Sequence, residues 1–151
     1  MAHIRPATDK DLPRILELYD ELVIQLSQVE QDRKLTPEDA HKVFADIYAD
    51  PRHELFVLED QGEVVGTVVL LIVPNLSHSA TPWGLVENLV VSEKYRRRGF
   101  GRMLLEHAAA RAREQGCYKV QLMSDRRREE AHRLYGSIGF EASAYGFRLY
   151  F

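Results

Sequence analysis

Cysteine occurs once, at Cys117, in a chain of 151 residues. An intrachain disulfide framework is therefore excluded, and a lone thiol suits a reducing, cytoplasmic setting. One cysteine supplies no thiolate cluster, and the six histidines have no short ligand spacing, so no metal is expected. Long apolar runs are also missing. The longest, Val64 to Val73, is broken by Gly66 and Thr67 and falls well short of the roughly 20 residues that cross a bilayer. The first residues lack a basic segment followed by an apolar stretch and a small-residue cleavage site, so no signal peptide and no membrane partner are expected. Strong net charge is absent too, since 20 basic and 23 acidic residues leave −3.

That balance conceals a division. From Lys94 to Arg133 there are 12 Lys/Arg against 5 Asp/Glu, and the remainder carries 8 against 18. A positive block on an acidic chain points to an anionic ligand handled locally. With 45% hydrophobic and 28% charged residues the composition is globular, and the length suits one domain over 1–151.

His3 to Arg5 reads as a short strand ended by Pro6. Thr8 stands at a helix N-cap, with Asp9 and Asp11 in the first turn, and Leu12, Ile15, Leu16, Tyr19, Leu22, Val23 and Leu26 follow at helical spacing. Ser27 to Leu35 is polar and reads as a loop. Thr36-Pro37-Glu38-Asp39 opens a second helix with Ala40, Val43, Phe44 and Ile47 on its inner face, stopped at Asp50-Pro51. The period then shortens. Glu54 to Glu59 and Val64 to Val73 form a hairpin around Asp60-Gln61-Gly62-Glu63, and Trp83 to Val91 is a further strand after the loop Pro74 to Pro82. A helix follows from Gly99 to about Gly116, then a strand over Tyr118 to Ser124, a helix over Glu129 to Ile138 ended by Gly139, and a last strand over Tyr145 to Phe151. The order β-α-α-β-β-β-α-β-α-β predicts an α/β (α+β) fold, a mixed, mostly antiparallel sheet flanked by helices.

The most informative segment runs from Val86 through Glu87, Asn88, Leu89, Val90 and Val91 into Arg96-Arg97-Arg98-Gly99-Phe100-Gly101-Arg102. A strand leaves the sheet, a basic turn follows, and two glycines open a helix. First-turn N–H groups without internal partners, together with the helix dipole, make a phosphate cradle that glycine leaves open. No Gly-Lys-Ser/Thr triplet is present to make a P-loop, and Leu104 stands where a dinucleotide fingerprint needs its third glycine.

Arg96-x-x-Gly99-x-Gly101 instead resembles the Arg/Gln-x-x-Gly-x-Gly/Ala signature of the GNAT superfamily of acyl-CoA-dependent N-acetyltransferases. Ala131-His132-Arg133-Leu134-Tyr135-Gly136-Ser137-Ile138-Gly139-Phe140 resembles that superfamily's Ala-x-x-x-Tyr-x-x-x-Gly-Phe segment. The resemblance implies a GNAT-like fold and direct transfer of an acetyl group from acetyl-CoA to a primary amine within a ternary complex. It implies that the signature residues Arg96, Arg97, Arg98, Gly99, Phe100, Gly101 and Arg102 bind the cofactor, with the N–H groups of 97 to 102 on its pyrophosphate. Leu89, Val90 and Val91 would pair with the pantetheine arm, and a bulge near Leu89 or Val90 would free an N–H for the thioester carbonyl. Glu87 would be the general base, and Tyr135 the proton donor to the departing thiolate. Superfamily members with an asparagine three residues before the matching alanine use it on the cofactor; Arg128 stands there in this chain.

Val86 to Val91 and Gly116-Cys117-Tyr118-Lys119-Val120 are similar to segments of glucosamine-6-phosphate N-acetyltransferases. Asn88 departs from their usual aspartate, and Met123 from an acidic residue after the fifth strand's leucine. The acceptor thus stays open among an amino sugar phosphate, a polyamine, an aminoglycoside and a protein amine. Its walls are expected from Ser27 to Leu35, with Glu30 and Asp32, from Pro74 to Pro82, from the C-terminal strand and from Trp83. The resemblance also leaves open a homodimer through Phe147 to Phe151. Two other readings compete. One is a non-catalytic acyl-CoA sensor. The other is a nucleic-acid-binding module, which the split arginine clusters without interleaved aromatics disfavour, so no nucleic-acid partner is expected.

Overall fold

A computed structural model describes residues 1–22 and 33–151. Val23, Leu26 and the loop over 27–32, with Glu30 and Asp32, lie outside the described residues. Five strands form one sheet in the order β1 (His3–Pro6), β2 (His53–Asp60), β3 (Glu63–Val73), β4 (Trp83–Val91) and β5 (Val120–Gln121). The first four pair antiparallel, and β5 runs parallel to β4. Helices α1 (Leu12–Asp20, entered through a 3₁₀ turn at Asp9–Asp11) and α2 (Pro37–Ala49) cover one face, and α3 (Phe100–Glu114) and α4 (Glu129–Ile138) cover the other.

β2 shows why the sheet is filled from both sides. Side chains alternate across a strand, so Leu55 and Val57 pack with Ile15 and Phe44 while Phe56 and Leu58 pack with Leu104, Leu105 and Ala108. The helix starts use the residues that composition suggested. Thr36 accepts the Asp39 N–H at 3.1 Å with Pro37 at the first helical position. Asp11 accepts from the Thr8 N–H at 2.8 Å and takes a two-pronged contact from Arg5 at 2.7 and 2.9 Å, which holds its carboxyl below the usual range. Val43 departs from expectation: it points to solvent, and Phe44 and Ala40 carry the buried face of α2.

Two differences affect the site. The strand predicted over Tyr118 to Ser124 contracts to two residues, because β5 meets β4 only at Gly84↔Val120 and Leu85↔Gln121. Gly84 allows that contact, since a Cβ there would lie 3.1 Å from the Ala112 Cβ. The strand predicted over Tyr145 to Phe151 is absent: 141–151 has no ladder partner among the described residues and is exposed throughout. Its apolar side chains turn outward, which leaves the chain's own sheet nothing to pair for.

Candidate active site

β4 breaks its alternation where chemistry is expected. Val69 pairs with Glu87 and Thr67 with Val90, so Asn88 and Leu89 stand together opposite Val68. This is a β-bulge, and Asn88 adopts a left-handed backbone at φ 51°. Asparagine is among the few residues with a side chain that tolerate this region. The extra residue sends Glu87 and Asn88 to exposed positions in succession, in place of the usual in–out exchange. Asn88 lies near the Tyr19 phenol of α1, whose pKa is raised by burial against the opposing influence of Asn88.

Beyond Leu85 the β4 edge that faces β5 loses its ladder, and a cavity of about 490 Å³ opens there. Glu87, Asn88 and Leu89 line it from β4, Tyr135 from α4, and Arg148 and Tyr150 from the C-terminal segment. The two side chains singled out for catalysis thus share one cavity. Water reaches Glu87 through its mouth, yet the surrounding walls raise the carboxyl above its ordinary range, against the opposing field of Arg148. Tyr135 is buried at 8% exposure, beside Phe140.

The turn after β4 has the backbone of an anion cradle. Arg97 and Gly99 are left-handed at φ 65° and 80°. The first helical bond of α3 runs from the Met103 N–H to the Gly99 carbonyl at 3.0 Å, so the N–H groups of Phe100, Gly101 and Arg102 precede the ladder. Gly99 has open space where a Cβ would stand, whereas a Cβ on Gly101 would meet the Leu134 Cδ2 at 3.2 Å. Gly101 therefore serves the close approach of α4.

The arginine side chains of this turn are engaged elsewhere. Arg96 reaches the Val91 carbonyl at 3.3 Å and Glu21 at 3.8 Å, and Arg97 reaches Glu130 at 3.9 Å. Arg98 lies over the Tyr95 ring at 5.0 Å, and Arg102 bridges Glu106 and Ser137 at 3.1 and 2.5 Å. What the turn offers unshared is its backbone. Val90 is buried in the β3–β4 ladder, with Val91 next to it, while Leu89 is partly open to the cavity.

Two of the expected acceptor walls sit apart. The loop 74–82 lines a separate hollow with Ile72, and Trp83 lies at the far end of β4 under the Lys119 ammonium, 5.4 Å from its ring. Cys117 is partly buried with its thiol pushed up, a poor nucleophile. Of Arg126 to Arg128, Arg127 is locked on Asp125 at 2.8 and 2.9 Å, and Arg128 lines the cavity. The C-terminal segment, expected to wall the acceptor site, does line the cavity through Arg148 and Tyr150, but not as a ladder strand. Among the described residues no helix is long and apolar enough to cross a membrane.

Comparison with known proteins bears on the family and the fold. A glucosamine 6-phosphate N-acetyltransferase of Trypanosoma brucei brucei is 32% identical over 96 residues, 64% of this chain, and the chain spans 63% of that relative's length. An aminoalkylphosphonate N-acetyltransferase of Salmonella typhimurium is 29% identical over 97% of this chain and 90% of its own. A solved structure named "Putative acetyltransferase from Agrobacterium tumefaciens str. C58" superimposes with a TM-score of 0.85 at 39% identity, covering 97% of this chain and 98% of that one. The sequence pattern described as "Acetyltransferase (GNAT) family" matches residues 15–140, and the chain belongs to that family.

Proposed function

We propose that the protein is an N-acetyltransferase that moves an acetyl group from acetyl-CoA to the primary amine of a small, anionic acceptor, working in the cytoplasm as one domain. The observation that carries this reading is the shared cavity of Glu87 and Tyr135, beside the unpaired stretch of β4 that leads to the phosphate-type turn. The backbone N–H groups at 97–102 hold the pyrophosphate, and the β4 edge over Leu89, Val90 and Val91 takes the pantetheine amides. An N–H released by the bulge polarises the thioester carbonyl. Glu87 takes the ammonium proton, directly or through water, so that the neutral amine attacks. The carbon–nitrogen bond forms as the carbon–sulfur bond breaks, the Tyr135 hydroxyl protonates the thiolate, and the second proton lost from nitrogen returns through water to the tyrosinate. No metal enters this scheme.

Charge in the cavity favours one acceptor class over the others. Arg128 and Arg148 both line it, and neither has a carboxylate partner among the described residues. Asp125 is already neutralised by Arg127. Two guanidinium groups repel polycations and suit a phosphate or phosphonate. The relatives named for glucosamine 6-phosphate and aminoalkylphosphonates support the same class. A thiol-release screen over both of those acceptors, spermidine, an aminoglycoside and a lysine peptide tests it. The phosphorylated or phosphonylated amines should lead by at least about tenfold in kcat/KM, a margin within reach of one charge-assisted hydrogen bond. Arg148→Ala should erase that lead through KM. A polycation at the top of the ranking would overturn the acceptor class, and acetyl-CoA binding without thiol release on any amine would make the chain an acyl-CoA sensor.

The tail supports a homodimer. Tyr145, Phe147, Leu149 and Phe151 are 81–91% exposed, while the intervening Arg148 and Tyr150 line the cavity. An extended tail that lends two side chains to a site and leaves four large apolar ones bare needs a cover, and a second copy supplies one. Light scattering should give twice 17.4 kDa for the native chain and 17.4 kDa for Phe147→Asp/Leu149→Asp. A native mass of 17.4 kDa rules the dimer out.

A further inference from the structure

We infer that Glu21 and Arg96 form a clasp that fixes the backbone of the phosphate-type turn, and that Arg96 is a positioning residue whose charge does not meet the cofactor. The inference rests on the acetyl-CoA reading above. Glu21 follows α1, yet its carboxylate accepts the Glu93 N–H at 2.8 Å and the Ser92 hydroxyl at 3.4 Å, and it draws the Arg96 guanidinium to 3.8 Å. Arg96 donates its Nε–H to the Val91 carbonyl at 3.3 Å. The Ser92 N–H, in turn, donates to the Val65 carbonyl at 2.8 Å. The base of the turn is therefore tied to β3, to the end of β4 and to α1 before it reaches Arg97. That residue needs such support, because a left-handed backbone is strained for a side chain other than glycine and persists only where its surroundings over-determine it. The clasp supplies the restraint, and the unshared N–H groups that follow keep the spacing an anion requires.

A charge-only account and the clasp predict opposite signs for one substitution. Coenzyme A is a polyanion, so deleting the Glu21 carboxylate beside its site would tighten binding if charge alone mattered. The clasp requires the reverse. Calorimetric titration of acetyl-CoA into the full chain should find affinity lowered about five- to tenfold by Glu21→Ala, the scale of one lost hydrogen bond to a charged group. Arg96→Ala should also lower it, and the double variant should lose less than the product of the two single losses, because the two side chains share one restraint on the turn. Arg96→Gln keeps a donor for Val91 without the charge, so it should recover most of the affinity with an unchanged salt dependence. The inference is overturned if Glu21→Ala binds as well as or better than the native chain, or if Arg96→Gln is as weak as Arg96→Ala with a shallower salt slope. Amide exchange in the ligand-free protein separates this from the functional reading. Glu21→Ala must speed exchange at the Glu93 N–H. Faster exchange in the variant together with a native chain that ignores acetyl-CoA keeps the clasp and loses the acetyltransferase assignment, and unchanged exchange removes the clasp.

Discussion

Tyr135→Phe should lower turnover about 100-fold, the lower end of what a positioned general acid contributes. Acetyl-CoA affinity should stay within a small factor of the native value. The physical basis is the separation of two jobs in one side chain. The ring is buried at 8% exposure and packs beside Phe140 and within the α3–α4 cluster, a task phenylalanine performs as well. The hydroxyl alone is deleted, and with it the proton for a leaving thiolate. The phenol hydroxyl is a hydrogen-bond donor placed to meet the developing thiolate and pass it a proton. Without it the thiolate leaves as the free anion or draws on water. Stopped-flow thiol release under saturating acetyl-CoA isolates this step, and an unchanged rate would remove Tyr135 as the donor. A fall in affinity that matches the fall in rate would mean that packing, not proton supply, had been lost.

The same residue illustrates how far a sequence carries its own structure. α4 could be bounded to the residue because Gly139 takes the left-handed turn that ends it, and Glu129 and Glu130 fall at its positive end. β2, β3 and β4 were legible through their short period and the Asp60-Gln61-Gly62-Glu63 turn. Periodicity is a local signal, and it fails where distant segments decide. The register shift that faces both Glu87 and Asn88 outward depends on pairing with Val68 and appears in no window of β4 alone. The contraction of β5 follows from the parting of two strands that lie far apart in sequence. Arg96 reads as a phosphate ligand from its neighbours, and only the fold brings Glu21 to it. Apolar alternation in the tail reads as a strand, yet 145–151 forms none, because a strand needs an edge to receive it. In this chain the alternation sorts Arg148 and Tyr150 from the aromatic face.

Glu87→Gln should show how much of the rate depends on a carboxylate in that cavity. Near neutral pH the acceptor is almost wholly an ammonium ion, so a base that removes its proton is worth about 100-fold or more. The loss should shrink as pH approaches the amine's own pKa, where free amine no longer needs help. The acid side of the native profile gives a second, independent reading. Glu87 acts only when ionised, so kcat/KM falls as pH drops through its pKa. Burial raises that pKa above the ordinary carboxylate value, which brings the falling limb closer to neutrality than an exposed glutamate would. Arg148 opposes the shift, so Arg148→Ala should move the limb to still higher pH while Glu87→Gln abolishes it. The pair of profiles separates the roles: a base gives a vanished limb and a loss that fades with rising pH. A positioning contact gives the same fractional loss at every pH with the limb in place. The second pattern would leave Glu87 as a wall of the acceptor site and require the proton to depart through water alone.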